Sequence, residues 1–471
     1  MAASTPLPPA EAEPGQGGSA NKRQAKLAHG SITGHLLRQT APAIVGVAAI
    51  MSVGIIDAYF IGQLGKAELA AVAFIFPVIT ALQSLGVGVM VGINSVVSRA
   101  LGEGDHDRAL ARANLGMILG MVTGILLGLL LFAVRQPLFR LMQADAQVLP
   151  LIDEYMAPYA LGFPLMMAMM AMNGVLRGQG AAKSHTAVLV TYSAANWMLD
   201  PLLITGAFGM EGFGVAGAAY ATIGGWAIAI VLAFWLLGRH TLPFSPAAMK
   251  GCNWRRQLAA ISRVAGPAAF TNSINPAGLA ILTSLLAVEG QAAVAGFGAG
   301  GRLQSFAVVP LLALSGSIGS IVGQNWGAMQ YDRARAALMQ AALFSIGYGA
   351  AAALVLYLAR GWFAELFSDD PQVLSATTQY LAISVWGYAG YGMLVVVNGA
   401  LNAIDRAANA LALSICRVLL VMVPVAWLAR DALGTQAIYI AEVSANLLGG
   451  VSAAAIAWWV LWRRPDATAH S

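Results

Sequence analysis

The sequence predicts an all-α integral membrane protein, with about twelve transmembrane helices arranged as two pseudo-symmetric six-helix lobes. Three observations carry this. Of 471 residues, 58% are hydrophobic and only 10% charged, against roughly 25% charged in soluble domains, and the mean hydropathy is +0.71. Apolar runs long enough to cross a bilayer recur along the whole chain. Residues 95 to 182 and 320 to 407 match without a gap at a constant offset of 225, the mark of a duplicated unit. The matched pairs include Ser95/Ser320, Gly102/Gly327, Asp107/Asp332, Tyr155/Tyr380 and Asn173/Asn398, and Pro42/Pro267 and Gly65/Gly290 extend the offset towards each half's start after a three-residue slip.

Residues 1–35 are rich in Ala, Pro, Gly and Lys and have no apolar core, so a disordered cytoplasmic tail is expected rather than a secretory signal. The first lobe, 36–238, follows with apolar runs close to 41–62, 69–97, 110–134, 150–175, 184–206 and 213–238. Each run reaches about 20 residues, enough for a hydrocarbon core of roughly 30 Å at 1.5 Å per residue. A hinge linker is expected at 239–262, where Pro243, Pro246, Lys250, Arg255 and Arg256 interrupt hydrophobicity. The second lobe, 263–462, repeats the pattern close to 264–288, 292–323, 336–359, 373–400, 409–429 and 436–461, and 463–471 form a second cytoplasmic tail.

Nineteen Lys and Arg fall on the side of the termini, against five on the other: Lys66, Arg135, Arg140, Arg360 and Arg430. By the positive-inside bias both termini are cytoplasmic and the protein is expected in the plasma (inner) membrane. Six is even, so the two halves enter the bilayer in the same direction and their symmetry axis runs along its normal. The pI near 9.3 reflects this topology and not nucleic-acid binding, since no aromatic-interleaved basic patch occurs. Cys252 and Cys416 lie in a loop and a span, which rules out a disulfide framework.

Within the spans, Pro42 removes a backbone donor and can bend the first helix. Gly116, Gly120, Gly124 and Gly128 line one face of the third span and are expected to pack closely on a neighbour. Met166, Met167, Met169, Met170 and Met172 crowd the fourth; they are either core or lining of an adaptable substrate cavity, for which Met170 and Met172 are the candidates. Gly212/Gly214/Gly217 and Gly296/Gly298/Gly301 match Gly-x-Gly-x-x-Gly, but no strand precedes either, so flexible helix entry is the better account than dinucleotide binding. No phosphate-binding Gly-x-x-x-x-Gly-Lys-Ser/Thr occurs, which argues against direct ATP drive. His29, His35, His106, His185, His240 and His470 fall in tails, loops or a span edge, so no histidine-based enzyme chemistry is expected inside the membrane.

The copies diverge at two carboxylates. Asp57 and Asp200 correspond at the repeat offset to Leu282 and Val425. A bare charge there costs about 2.5 to 3.5 kcal/mol on insertion scales, so each needs a partner, a proton or a wet cavity. Asn196 precedes Asp200 by four residues and shares its helix face. Asp57 lies five residues before the outer end of the first span and Asp200 six before that of the fifth, roughly 8 to 9 Å deep at 1.5 Å per residue. Thr222 reaches a comparable level, and Tyr155 starts the fourth span. Carboxylate, amide and hydroxyl oxygens suit a proton or a small hard cation such as Na+, with no resident metal. Arg302, Arg417 and Glu442 are the second-half counterpart, expected as structural pairing or cavity polarity.

At these residues the chain resembles the multidrug and toxic compound extrusion (MATE) transporters, in particular the DinF-like branch. The segments that carry the likeness are Asp57 to Gly65, Asn173 to Gly180, Asn196 to Pro201, Gly214 to Thr222 and Gly323 to Gly327, within residues 36 to 461. The resemblance implies an antiporter in which Asp57, Tyr155, Asn196, Asp200 and Thr222 form the cation network, Asn173 lines an adjacent drug cavity and Pro42 is the bend. NorM-like members carry acids in the second lobe; Thr271 to Ala287 contains none here, so no ion site is expected there. The expectation is a monomeric secondary active exporter, not an enzyme. It would exchange H+ or Na+ for organic, cationic or amphipathic small molecules in contact with membrane lipid, without a cofactor. A flippase for lipid-linked precursors is the alternative, and a membrane-embedded enzyme the more distant one.

Overall fold

The structure, a computed structural model, describes residues 25–206, 211–249 and 252–462, and among them finds only helices and turns. The first lobe comprises α1 (Ile32–Gly62), α2 (Lys66–Gly102), α3 (His106–Leu141), α4 (Leu149–Gly178), α5 (Ala182–Thr205) and α6 (Val215–Gly238). The second comprises α7 (Trp254–Glu289), α8 (Gln291–Ala307 and Val309–Gly327, bent by 41° at their junction), α9 (Tyr331–Leu358), α10 (Pro371–Ala403), α11 (Ala407–Leu433) and α12 (Thr435–Trp462). All are long and apolar enough to cross a membrane, the two pieces of α8 counting as one span. The protein is therefore a multi-pass membrane protein of the predicted class.

Several helices overrun their apolar runs because polar caps, not hydrophobicity, end them. Ser31, Asp105 and Asn253 each accept a hydrogen bond from a backbone N–H in the first turn of α1, α3 and α7. This corrects two boundaries. The helix that begins at Trp254 takes in the end of the expected linker, and the rest of it is tied down: Ser245 N–H donates to Asn114 Oδ1 at 2.7 Å, Leu242 N–H to Gln179 Oε1 at 3.2 Å, and His240 and Ser184 pair at 2.9 Å. The expected tail is described only from Ala25. Its Leu27 is 2% exposed, with its N–H donating to Gln324 Oε1 at 2.9 Å and its carbonyl accepting from Asn325 at 3.0 Å. Residues 1–24, Lys250 and 463–471 lie outside the described residues.

The duplication is visible in the packing. α1 packs on α5, α2 on α4, α3 on α4 and α4 on α6; α7 packs on α11, α8 on α10, α9 on α10 and α10 on α12. The glycine face of α3 behaves as expected, since a Cβ on Gly120 would stand 2.7 Å from Ala171 Cβ and 3.0 Å from the Met167 carbonyl, and one on Gly128 2.5 Å from the Ala160 carbonyl. Gly120→Val should therefore lower first-lobe stability by about 1–3 kcal/mol, the range for overpacking, read as a lower unfolding temperature in detergent. Gly212 and Gly217 turn out to close a tight turn against the Leu203 and Ile204 carbonyls, with Gly214 at φ 59°. Gly296, by contrast, packs inside α8 on Ala376 and Thr377.

The lobes meet at the ends assigned to the cytoplasm. Ser95 Oγ donates to the Asn402 carbonyl at 2.6 Å, Ser320 Oγ to Asn94 Oδ1 at 3.0 Å and Gln324 Nε2 to the Gly178 carbonyl at 2.9 Å, and Arg99 reaches Asp405, which Arg263 also reaches from within the second lobe. Higher up, Gly88 and Gly92 let α2 lie directly on Ala265 of α7. Among the described residues no hydrogen bond or ion pair joins the outer halves of the two lobes. The polar contacts that tie the lobes together among the described residues thus lie on the inner side.

Candidate functional site

In the outer half of the first lobe, α1, α4, α5 and α6 bring together the five residues expected from the sequence. Asn196 and Asp200 sit one turn apart on α5, and Asn196 Nδ2 donates to Asp200 Oδ1 at 3.2 Å and lies 3.5 Å from Thr222 Oγ1 of α6. Asp57 enters from α1 beside Asp200 and Asn196. Tyr155 of α4 stands beside Thr222 and Asp57. Asp200 and Asn196 are fully buried and Thr222 is 4% exposed, whereas Asp57 is half-buried. Immediately after Asp200, Pro201–Thr205 turn as a π-helix, a wider winding often found next to functional groups.

The chemistry follows from counting donors. Asp57 Oδ1, Asp200 Oδ2 and Asn196 Oδ1 are all buried without a hydrogen-bond partner. Two adjacent carboxyl groups have an excess of acceptors that the surrounding hydroxyls and one amide cannot fill. A proton shared between them, or a small cation held by their oxygens, satisfies the excess and removes the repulsion.

Three members of the site were missed in the sequence. Tyr159 stacks on Tyr155 with ring centroids 5.7 Å apart and meets Trp226 edge-on at 5.3 Å; Tyr192 stacks on Trp226 at 6.5 Å and lies beside both carboxyls. Together they wall the oxygens from the lobe core. The signal was available: Tyr159 follows Tyr155, and Trp226 follows Thr222, by four residues, while Tyr192 precedes Asn196 by four, so each shares a face with a residue already identified.

Other expected positions fall elsewhere. Asn173 is fully buried near the inner end of α4 and pairs with His185 Nδ1 at 3.0 Å. It lines no open surface in this conformation: its Oδ1 is used between α4 and α5, and its Nδ2 is buried without a partner. Met166, Met167 and Met169 are core; Met170, 9% exposed, packs under Gly86, and Met172 is half-buried against the same core. α1 runs unbroken through Pro42. In the second lobe, Glu442 accepts from Gln304 Nε2 at 2.7 Å and from Tyr380 OH, the repeat partner of Tyr155, at 3.2 Å. Arg417, inside a π-helical stretch of α11, donates to Asn446 and Asn275. Arg302 is exposed and takes part in neither set of hydrogen bonds.

Comparison with known proteins agrees with the fold and the repeat. The MatE family model matches residues 42–202 and 267–428, two segments in the register of the internal duplication. A FAD transporter of Shewanella oneidensis is 33% identical over 421 residues, covering 88% of this chain and 92% of that protein. A probable multidrug resistance protein of Bacillus subtilis is 26% identical over 412 residues, covering 86% of this chain and 91% of that protein. A multidrug resistance MATE family transporter solved in an outward-facing conformation superposes with a TM-score of 0.88 at 23% identity, over 93% of this chain and 98% of that one. Two matched repeats, twelve paired spans and a relative one-third identical along most of both chains lead to one conclusion: the chain belongs to the MatE family of multidrug and toxic compound efflux transporters.

Proposed function

We propose that the chain is a secondary active exporter that exchanges H+ or Na+ for a cationic or amphipathic organic compound by alternating access between the two lobes. It acts as a monomer in the plasma (inner) membrane with both termini cytoplasmic, since one chain contains both lobes and the coupling cluster. The observation that carries the reading is the juxtaposition of the Asp57 and Asp200 carboxyls, with three buried oxygens left without a donor. The cluster spans α1, α4, α5 and α6, so filling it changes the electrostatic cost of packing those helices together. An ion drives transport only by binding two conformations unequally. α1 is the element suited to register the difference, because it carries Asp57 in its outer half and Pro42, which removes one backbone hydrogen bond, below it.

The two substrate classes expected, cationic and amphipathic, are to be tested side by side. The relative from Shewanella oneidensis is named for FAD, and FAD is the compound to test first here beside a lipophilic cation such as ethidium. Purified protein in proteoliposomes, given a proton or a sodium gradient separately, is expected to export against one of them. The Asp57→Asn/Asp200→Asn double variant should keep only downhill exchange. Equal gradient-driven export by the double variant and the wild type would remove the carboxylates from the mechanism.

A further inference from the structure

Glu442 of α12 is 2% exposed and takes no part in the carboxyl cluster of the first lobe. It closes a ring of three side chains from three helices. Gln304 Nε2, on the outer piece of α8, donates to Glu442 Oε1 at 2.7 Å, and the Tyr380 hydroxyl of α10 lies 2.8 Å from Gln304 Oε1 and 3.2 Å from Glu442 Oε2. A phenol has one hydrogen to give. If it serves Glu442, Gln304 Oε1 is left facing an oxygen with nothing between them; if it serves Gln304, the shorter contact, Glu442 Oε2 is left so unless the carboxyl carries its own hydrogen. A neutral Glu442 completes the circle. Glu442 donates to Tyr380, Tyr380 to Gln304 and Gln304 to Glu442, each group giving once and accepting once.

The surroundings are those of a neutral acid. The titratable groups that face Glu442 are Tyr380, Tyr388 and Tyr391 of α10 and Arg417 of α11. Arg417 donates to Asn446 and Asn275 instead, and among the described residues no ion pair reaches Glu442. A carboxylate at membrane depth is costly without a paired charge. Ser384, beside both Glu442 and Tyr380, keeps a buried hydroxyl without a partner, a donor that an ionised carboxyl would draw in. The ring also ties down a helix. Ala293, Gly296, Phe297, Gly300 and Gln304 share the face of the outer α8 piece that meets α10: a Cβ on Gly296 would stand 2.5 Å from Ala376 Cβ and one on Gly300 2.0 Å from the Tyr380 ring, and Phe297 meets that ring edge-on at 5.4 Å. Just past Gln304, α8 bends by 41°. Tyr380 is the repeat partner of Tyr155, which stands beside Asp57, so each lobe sets the same tyrosine against a buried acid.

We propose that Glu442 is a proton-binding residue of the second lobe, whose neutral carboxyl joins Tyr380 and Gln304 in a ring that clasps the outer piece of α8 to α10 and α12. When the proton passes to water, the charge left on Glu442 is unpaired in an apolar seat and favours a conformation in which α8 parts from α10 and water enters. The bend after Gln304 is where the outer piece turns. This goes beyond the reading of Asp57 and Asp200 and stands whether or not that pair couples.

The test uses the full chain in phosphatidylcholine nanodiscs, with Asp57→Asn and Asp200→Asn as background so that the first-lobe acids contribute to neither readout. The infrared spectrum at neutral pH should contain the carbonyl band of a protonated, buried carboxyl that Glu442→Gln lacks, and the band should vanish reversibly in alkaline buffer. Tyr380→Phe, which removes the carboxyl's acceptor, should shift it. The second readout is thiol labelling of Ala293→Cys, with Cys252 and Cys416 replaced by serine; Ala293 is 8% exposed, on the face of α8 turned to α10. On passing to alkaline buffer, labelling should rise roughly fivefold more than in the same protein carrying Glu442→Gln, a comparison that cancels the thiol's own response to pH. Glutamine reproduces the donor and acceptor of the neutral acid, so the two proteins should unfold at the same temperature at neutral pH. A spectrum that Glu442→Gln leaves unchanged would overturn the proton, and an equal rise of labelling in both proteins would overturn the clasp.

Discussion

Valine at both Gly102 and Gly327 is expected to break the inner seal and shift the lobes towards an alternative arrangement. The two glycines are repeat partners, and they meet the opposite lobe in the same way. A Cβ on Gly102 would stand 2.2 Å from the Gln324 carbonyl oxygen and one on Gly327 2.1 Å from that of Arg99, itself the repeat partner of Gln324. Neither obstacle is a flexible side chain; both are helix backbone, which cannot give way without parting the lobes. Each substitution should cost about 1–3 kcal/mol, comparable to the few kcal/mol that separate two functional conformations. The double variant should then favour the alternative state. With Cys252 and Cys416 replaced by serine, thiol labelling of Ala295→Cys on the exposed stripe of α8 reports on this directly. Labelling should fall at least fivefold, while unaltered labelling would mean that the inner ends tolerate the extra atoms and the seal lies elsewhere.

Asp57→Asn alone and Asp200→Asn alone should each abolish gradient-driven export almost as completely as the pair. The carboxyls share one site, so removing either leaves a single acid beside an amide that cannot exchange a proton, and the site loses its coupled titration. Additivity is expected only for independent groups. The effect of the ion on substrate affinity, worth roughly 5- to 150-fold where coupling reaches 1–3 kcal/mol, should drop to none in both single variants. Asn at residue 200 keeps an oxygen to accept from Asn196, and both side chains keep their volume, so unfolding temperatures should change little. Substrate binding measured with and without the coupling ion decides this. A clear additive loss across the two singles and the double would split the cluster into two separate sites.

Much of this architecture was legible because a membrane punishes exceptions. An unpaired backbone group or charge in hydrocarbon is expensive, so the spans appear as apolar runs and the exceptions, Asp57 and Asp200, stand out by contrast. Their convergence could be read from depth and from the four-residue spacing of Asn196 and Asp200. The helix ends were less legible. Ser31 and Asn253 set two of them through single hydrogen bonds that no hydropathy window detects. The aromatic wall was overlooked because Tyr159, Tyr192 and Trp226 read as ordinary core, and only their fellows on the same helix faces give them meaning.

Asn173 and the α4 methionines show the limit from the other side. Their position in the chain was right, but whether a side chain faces a cleft or a neighbouring helix depends on rotation and on which helix arrives opposite. That is decided by close approaches between residues far apart in sequence, such as His185 on Asn173 or Gly86 over Met170. By itself, then, the sequence determined the solvent, the number of spans, the duplication and the two acids, all of which follow from the local cost of leaving water. Only the tertiary structure decided which residues tie the two lobes together on the inner side, and that Asn173 meets His185. Those outcomes depend on backbone contacts such as Gly102 on Gln324, which lie more than two hundred residues apart and have no local signature.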